Sequence, residues 1–341
     1  MTKTRTSPGV LSPVLSVFAA LLVSAVLILA VSKSPGETLR AFFTVPFRSG
    51  YHLGNLLQRS SGILLTGLGI CIAFRGGMFN LGGEGQVLFS AVSVTVFLRL
   101  FSGMSPVMGG ILGIAGAVLT GAFLAGVSGF MKYRWNADEL ITSFLLSGSL
   151  IPLADFLILG PLKDETSYLI ATKPIPGKFA LNQILPPSLL DISFPIALGA
   201  AVLVYVFLFR TLTGYELRMF GANRKFSAFG GVRLGKFFIL TMVLSGAFHG
   251  LAGAFSVMGG RNNAAVSGLT AGMGWNGIAV ALIGRNHPLL AVPAALIFSF
   301  LESGAQAAVL TTDFSFRLDA VIRGVVFLFI TVSYARPGRR T

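Results

Sequence analysis

Long apolar stretches that carry few or no charges recur along this chain, and they constrain its fold more than any other feature. A helix needs about 20 apolar residues to cross a bilayer, and in lipid its backbone polar groups must be satisfied within the segment. The candidate spans are residues 6–32, 61–78, 85–101, 107–131, 140–159, 192–209, 237–258, 273–283, 288–303 and 320–334. The sequence therefore predicts an all-α fold, a polytopic membrane helix bundle of about ten transmembrane segments.

The composition supports this fold class and excludes several functions. Hydrophobic residues make up 54% of the chain and charged residues 11%, well below the roughly 25% of soluble domains. We therefore expect residues 1–341 to form a single transmembrane domain without catalytic residues. The one cysteine, Cys71, lies in an apolar stretch, so we expect neither an intramolecular disulfide nor a metal site.

The basic residues predict the orientation. Ten crossings with both termini cytoplasmic place more than half of the 26 Lys and Arg residues on the cytoplasmic side, as the positive-inside rule requires. Arg40, Arg48 and Arg59 oppose this bias. The net charge of +14 is explained by basic loops beside anionic lipid, so we expect membrane lipid and no nucleic acid as a partner. Two longer loops, residues 33–60 and 160–191, are predicted outside, where they either receive a binding protein or serve as ordinary connectors.

Residues 67–96 place polar side chains between two apolar stretches. Arg75, Asn80, Glu84 and Gln86 stand there among five glycines, which make an unbroken helix unfavourable. Polar groups in hydrocarbon are expensive, so they are normally paired, line water or meet a solute. Because residues 61–74 and 273–283 barely suffice to cross, we predict broken helices of the kind that gather around transporter substrate sites.

Residues 210–236 form the most basic loop. Six basic residues alternate with aromatic and aliphatic ones, and glycines at 214, 221, 230 and 231 punctuate the pattern. This predicts short amphipathic helices parallel to the membrane that either expose aromatic side chains to a partner groove or simply lie on the lipid surface.

Residues 272–305 again interrupt apolar sequence with isolated polar groups. Trp275 and Asn276 stand near glycines, and Glu302 is expected either to face the bundle interior or to reach water at the end of its span. His287 precedes a proline in a turn, so we interpret it as a loop histidine and not as a proton relay.

Four segments in this order resemble the membrane permease subunits of ABC importers of the branched-chain amino acid, simple-sugar and nucleoside superfamily. They are FRGGMFNLGGEGQ, LRMFGANRKFSAFGGVRLGK, LSGAFHGLAGA and GWNGIAVALIGRNHP, and the resemblance extends from about residue 56 to residue 303. The form at residues 79–86 is similar to the nucleoside-type permeases, whereas ribose-type members carry a different acidic motif.

The resemblance implies a permease of the bacterial inner membrane that is not an enzyme. The chain has no phosphate-binding G-x-x-x-x-G-K-[ST] loop, so ATP and Mg would be used by separate ABC ATPase subunits. A second permease subunit, identical or related, and a periplasmic or lipid-anchored substrate-binding protein complete the expected assembly. The residues implied in coupling to the ATPase are Gly214, Arg218, Phe220, Gly221, Ala222 and Asn223. Residues 225–229 depart from the family pattern, which leaves the specific contacts open.

A nucleoside is neutral and polar, so its pathway needs amides and aromatic faces. Candidates for that pathway are Asn80, Glu84, Gln86, Trp275 and Asn276. Glu84 either binds a ribose hydroxyl or pairs with Arg75 or helix-end amides to hold the break. A riboflavin or simple-sugar ABC permease is the alternative, and an ion-coupled secondary transporter, which would use Asp155 and Glu302, is a more distant one.

Overall fold

The computed structural model describes residues 11–260 and 263–312, with residues 320, 321, 324, 325 and 328. Over these residues the chain is helical, and its extended pairing is limited to isolated β-bridges. The helices are α1 (Leu11–Val31), α2 (Pro35–Thr44), α3 (Gly50–Arg75), α4 (Gly83–Leu100), α5 (Pro106–Trp135), α6 (Glu139–Leu159), α7 (Ser193–Arg210), α8 (Leu212–Ala222), α9 (Arg224–Phe229), α10 (Leu234–Met258), α11 (Met273–Ile283) and α12 (Pro288–Thr311).

Six of the described helices are long and apolar enough to cross a membrane: α3, α5, α6, α7, α10 and α12. Each predicted span up to residue 303 overlaps a described helix. The predicted last span, 320–334, lies mostly outside the described residues, as do both termini. The all-α membrane bundle is therefore confirmed, whereas ten crossings and cytoplasmic termini stay predictions.

Helix α3 corrects the prediction of a barely sufficient second span. It begins at Gly50 and contains 26 residues, because the polar Gln58 and Arg59 continue the helix instead of ending it. Gln58 donates to the Asp191 carboxylate, and Arg59 lies near Glu302. A polar residue that has a partner within the bundle does not end an apolar helix, but the partner is invisible in the local sequence. By contrast, α11 has the predicted short length.

The core of the bundle is built around α3 and α10. Of an 18-residue apolar stretch of α3, 83% is buried, and α10 packs against α3, α4 and α5. Between α5 and α10 the backbones touch at glycines: a Cβ at Gly121 would collide with the Gly246 carbonyl, and one at Gly250 with the Ala117 carbonyl. Small residues allow this close approach, which brings polar backbone groups and dispersion contacts together in lipid.

The two predicted outer loops differ in structure. Residues 33–60 are mostly helical, and α2 buries Phe42 edge-on against Phe300 of α12. Residues 160–191 are irregular but tied down by isolated bridges, one of which pairs Ala171 with Val266. The end of this segment is held by Gln58, whose side chain both donates to the Asp191 carboxylate and accepts from its backbone N–H.

Candidate functional site

The first predicted cluster of polar residues lies in and beside the break between α3 and α4, residues 76–82. Gly77 has φ +60°, a conformation that favours glycine, and Gly76 ends α3. Arg75 donates to the backbone carbonyls of Asn286 and Arg285, at 2.8 and 3.3 Å. Arg75 therefore secures the turn between α11 and α12, and the contact with Glu84 considered from the sequence does not form.

Asn80, Gln86, Ser245 and His249 form a buried hydrogen-bonded group, here called the Asn80 cluster. The Asn80 and Gln86 amides donate to each other's carbonyl oxygens, both at 3.0 Å. Asn80 also donates to Ser245, and His249 Nδ1 lies 2.8 Å from Gln86 Oε1. All four residues are at most 1% exposed. Asn80 and Gln86, predicted in the solute pathway, thus have their side chains engaged inside the bundle, where they join the break to α10.

Glu84 holds the beginning of α11. Its carboxylate accepts hydrogen bonds from the Thr270 hydroxyl and from the backbone N–H groups of Gly272, at 2.8 Å, and Gly274, at 2.9 Å. Free N–H groups and the helix dipole make a helix N-terminus favourable for a carboxylate. We call these residues the Glu84 clamp. Of the two roles considered from the sequence, the contact with helix-end amides is the one observed.

Gly274 makes the clamp close-fitting. A Cβ at this position would overlap the Glu84 backbone nitrogen and lie 2.5 Å from the carbonyl carbon of Gly83. The first turns of α4 and α11 therefore touch through their backbones, and only glycine permits this approach. The N-terminal ends of α4 and of the short helix α11 therefore meet inside the bundle around one carboxylate.

The other two predicted pathway residues lie in the first turn of α11 and point to different neighbours. Trp275 packs edge-on against Phe144 of α6, with ring centroids 6.2 Å apart. Asn276 is buried and donates to Glu302 Oε1 at 2.7 Å. Glu302, in the middle of α12, is 6% exposed and therefore faces the bundle interior, which is one of the two placements expected from the sequence.

A cavity of about 560 Å³ lies between α3, α11, α12 and residues 269–273, and we call it the outer cavity because the predicted orientation places it toward the outer side. Arg59 reaches into this region, 3.6 Å from Glu302 Oε2, and donates to Gln306 Oε1 at 2.6 Å. Its polar lining residues are Arg59, Thr270, Asn276, Glu302 and Gln306, and its apolar ones include Ile63, Leu269, Met273, Val309 and Leu310. Of the predicted pathway residues, only Asn276 lines the cavity, and Glu84 is one hydrogen bond away through Thr270.

Helices α8 and α9 lie within the predicted coupling loop, residues 210–236, and the glycines fix their placement. A Cβ at Gly214 would overlap the Phe207 carbonyl of α7, and one at Gly221 would overlap the Arg75 carbonyl at the end of α3. Arg224 adds a hydrogen bond of 3.0 Å to the Gly77 carbonyl. The prediction of short helical structure in this loop is confirmed; the structure has two helices there, and they rest directly on the break between α3 and α4.

The side chains of the coupling loop divide into an inner and an outer set. Phe220 is fully buried against Phe237 and Phe238, so this ring cannot itself contact a partner. For Phe220, the predicted exposure of aromatic side chains to a partner groove is therefore wrong. The exposed aromatic residues of this loop are Tyr215 of α8, 54% exposed, and Phe226 and Phe229 of α9, 63% and 93% exposed.

The remaining coupling candidates lie in α8 or directly after it. Ala222 and Asn223 are exposed, and the Asn223 side chain caps α9 by accepting from the Phe226 N–H. The Arg218 guanidinium lies over the Phe209 ring, 4.8 Å from its centroid. These residues therefore shape the α8–α9 pair and its contact with α7.

Three ionisable groups outside the spans have shifted pKa values. Hydrogen bonds from the hydroxyl and the backbone N–H of Thr166 lower the pKa of Asp164. Burial raises the pKa of Asp191, although Ser193 and Gln58 donate to its carboxylate. Burial, with Arg75 nearby, lowers the pKa of His287, whose ring packs on Tyr205 and Phe209. A neutral ring in the turn before α12 agrees with its interpretation as a loop histidine.

Sequence reasoning missed His249, Thr270 and the inward position of Arg59. His249 stands in an uncharged span, which is an unusual place for a histidine and was the available signal. Thr270 gives no such signal, because a threonine next to an irregular segment is ordinary. Among the described residues, no group of three or more His, Cys, Asp or Glu side chains is placed to hold a metal ion.

Comparison with known proteins gives a consistent family. Residues 52–331 match the family described as "Branched-chain amino acid transport system / permease component". The chain is 33% identical over 316 residues to the probable riboflavin import permease protein RfuC of Treponema pallidum (strain Nichols), covering 92% of this chain and 83% of the relative. It is 29% identical to the guanosine ABC transporter permease protein NupP of Bacillus subtilis (strain 168), covering 95% and 94%. It is also 29% identical to the glucose ABC transporter permease protein TsgB13 of Haloferax volcanii, covering 96% and 90%.

Proposed function

Because this chain belongs to the branched-chain amino acid transport system permease family, we propose that it forms one half of an ATP-driven import pathway for nucleosides. It is a multi-pass plasma-membrane protein and an ABC transporter permease of the nucleoside-type branch. In the proposal the second half is another permease subunit, ABC ATPase subunits consume ATP with Mg, and a substrate-binding protein delivers solute to the outer side.

The observation that carries the proposal is the contact of α8 and α9 with the break between α3 and α4. Gly221 lies against the backbone of Arg75 and Gly77, so α8 cannot shift without displacing the end of α3. An ATPase that binds the exposed ring of Phe229 would move this rigid pair and, through the break, the beginning of α4. A transporter driven by protons or sodium has no need of such a docking element.

The ATPase contact can be tested by co-purification. We expect an ATPase to remain bound to the purified permease and to be lost when Phe229 is changed to Asp, because a carboxylate would replace an apolar ring in the interface. Tyr168→Asp is the matched control, since Tyr168 is an exposed aromatic residue of the predicted outer segment. Equal ATPase recovery in both variants would contradict the docking site, and concentrative uptake by this chain alone would contradict an ATP-driven importer.

The solute is proposed to be a nucleoside, supported by the nucleoside-type motif at residues 79–86 and by the guanosine permease relative. Riboflavin is the second candidate, favoured by the relative that is 33% identical. Uptake of labelled guanosine in cells carrying the whole transporter, competed with unlabelled guanosine, riboflavin or glucose, separates these candidates. The nucleoside proposal requires competition by guanosine and much weaker competition by the other two.

A further inference from the structure

The outer cavity has a composition suited to one kind of ligand. Its lining has an apolar part, which includes Ile63 and Met273, and a polar part formed by Arg59, Glu302 and Gln306. Its volume of about 560 Å³ lies within the 300–1,000 Å³ range of small-molecule sites. The cavity thus offers apolar surface beside a small group of hydrogen-bonding side chains.

The cavity is lined by two side chains of opposite charge, Arg59 and Glu302. Arg59 and Glu302 are 3.6 Å apart, longer than the 2.7–2.9 Å of a charge-assisted hydrogen bond. Their fields largely cancel at a distance, so the site does not select an anion or a cation. At close range the carboxylate accepts hydrogen bonds, and the guanidinium and the amide donate them. This set suits a ligand with adjacent hydroxyls, because each hydroxyl is both donor and acceptor.

The buried position of Glu302 is the second argument. A carboxylate that is 6% exposed inside a membrane bundle is costly, and such groups normally mark a solute pathway. Glu302 is oriented by Asn276, which stands in the first turn of α11, directly after the Glu84 clamp. The carboxylate is thus held at the cavity by a short helix whose own beginning is fixed.

We propose that the outer cavity binds the polyhydroxylated part of a neutral solute, the ribose of a nucleoside or the ribityl chain of a flavin, through Glu302, Arg59 and Gln306. This inference rests on the proposed function. It adds a step at which the permease itself selects for hydroxyl groups after the binding protein has released the solute, because a site built to hydrogen-bond hydroxyls discriminates against analogues that lack them.

The test compares paired substrates in cells that carry the whole transporter. Uptake of labelled guanosine is measured against 2′,3′-dideoxyguanosine, and uptake of riboflavin against lumiflavin, which lacks the ribityl chain. The binding protein is the same for wild type and variants, so a changed preference reports on the permease. We expect Glu302→Gln to reduce the preference for the hydroxylated partner about tenfold, the effect of one lost hydrogen bond.

Two further variants complete the design. Glu37→Gln, at an exposed position of α2, serves as the matched control and should keep the wild-type preference. Gln306→Leu, at an exposed position of α12, should also weaken the preference and serves if Glu302→Gln does not assemble. The pair whose hydroxylated member is taken up identifies the nucleoside or the flavin as the source of the hydroxyls.

Uptake of both members of a pair falling by the same factor, or an unchanged preference in Glu302→Gln and Gln306→Leu, would overturn the proposed site while leaving the proposed function standing. A wild-type transporter that accumulates neither guanosine nor riboflavin would overturn the proposed function, and the cavity proposal with it.

Discussion

The Asn80 cluster and the outer cavity lie on either side of the Glu84 clamp, and they treat their polar groups in opposite ways. In the cluster, two amides, a hydroxyl and an imidazole hydrogen-bond to one another and are at most 1% exposed. In the cavity, a carboxylate, a guanidinium and an amide surround about 560 Å³. The contrast teaches that a polar side chain in an apolar helix has two stable uses: closing a broken helix from within, or lining a space that a solute enters.

The comparison predicts that the clamp between the two regions, where α4 and α11 touch through their backbones, tolerates no added volume. Gly274→Ala should have the largest effect on stability, because its Cβ would overlap the Glu84 backbone, and overpacking against main chain costs about 1–3 kcal/mol or more. The measurement is the fraction of monodisperse protein after heating in detergent. Gly148→Ala in α6, where a Cβ meets nothing within 4 Å, is the control. Equal stability of the two variants would remove the distinction.

A second prediction compares the same substitution on the two sides. Gln86→Leu removes the buried hydrogen bonds that Asn80 and His249 make to the Gln86 amide and should cost about 1–3 kcal/mol, measured by the same heating assay. Gln306→Leu, exposed at the cavity, should change stability by less than about 0.5 kcal/mol. If Gln306→Leu were the more damaging change, the assignment of closed and open regions would be reversed.

The smallest expected effect on stability comes from removing the charge of the clamp. Glu84→Gln keeps the shape but removes the charge at the beginning of α11, which is worth about 0.3–1 kcal/mol, and up to ~2 in buried geometries. We expect slower uptake of both members of each substrate pair and an unchanged preference for the hydroxylated one. Thr270→Val removes one of the three donors to the Glu84 carboxylate, so it should slow uptake in the same way but by less. Uptake at the wild-type rate in Glu84→Gln would exclude a role for the clamp in transport.

Much of the fold was accessible from local sequence, because apolar runs and glycines act on neighbouring residues. The short α11 and the paired helices α8 and α9 follow from such signals. The length of α3 does not, because Arg59 ends the uncharged run and its acidic neighbour, Glu302, lies on a helix far along the chain.

The site was less predictable for the same reason. Asn80 and Asn276 stand in similar surroundings of glycine and apolar residues, yet one is enclosed and the other borders a cavity. What separates them is which helices pack beside them: α10 supplies Ser245 and His249 to the first, and α12 supplies Glu302 to the second. Such pairings belong to the tertiary arrangement and leave no trace in either segment alone.

The meeting of Gly274 with the backbone of Gly83 and Glu84 has a mechanical consequence. Two helices that touch without side chains between them have no soft layer to absorb relative sliding, so the beginnings of α4 and α11 travel as one piece. Asn276 and Met273 belong to α11, so they move with this unit, and they line the cavity. The width of the cavity therefore depends on the tilt of α4, which begins after the break that Gly221 and Arg224 contact.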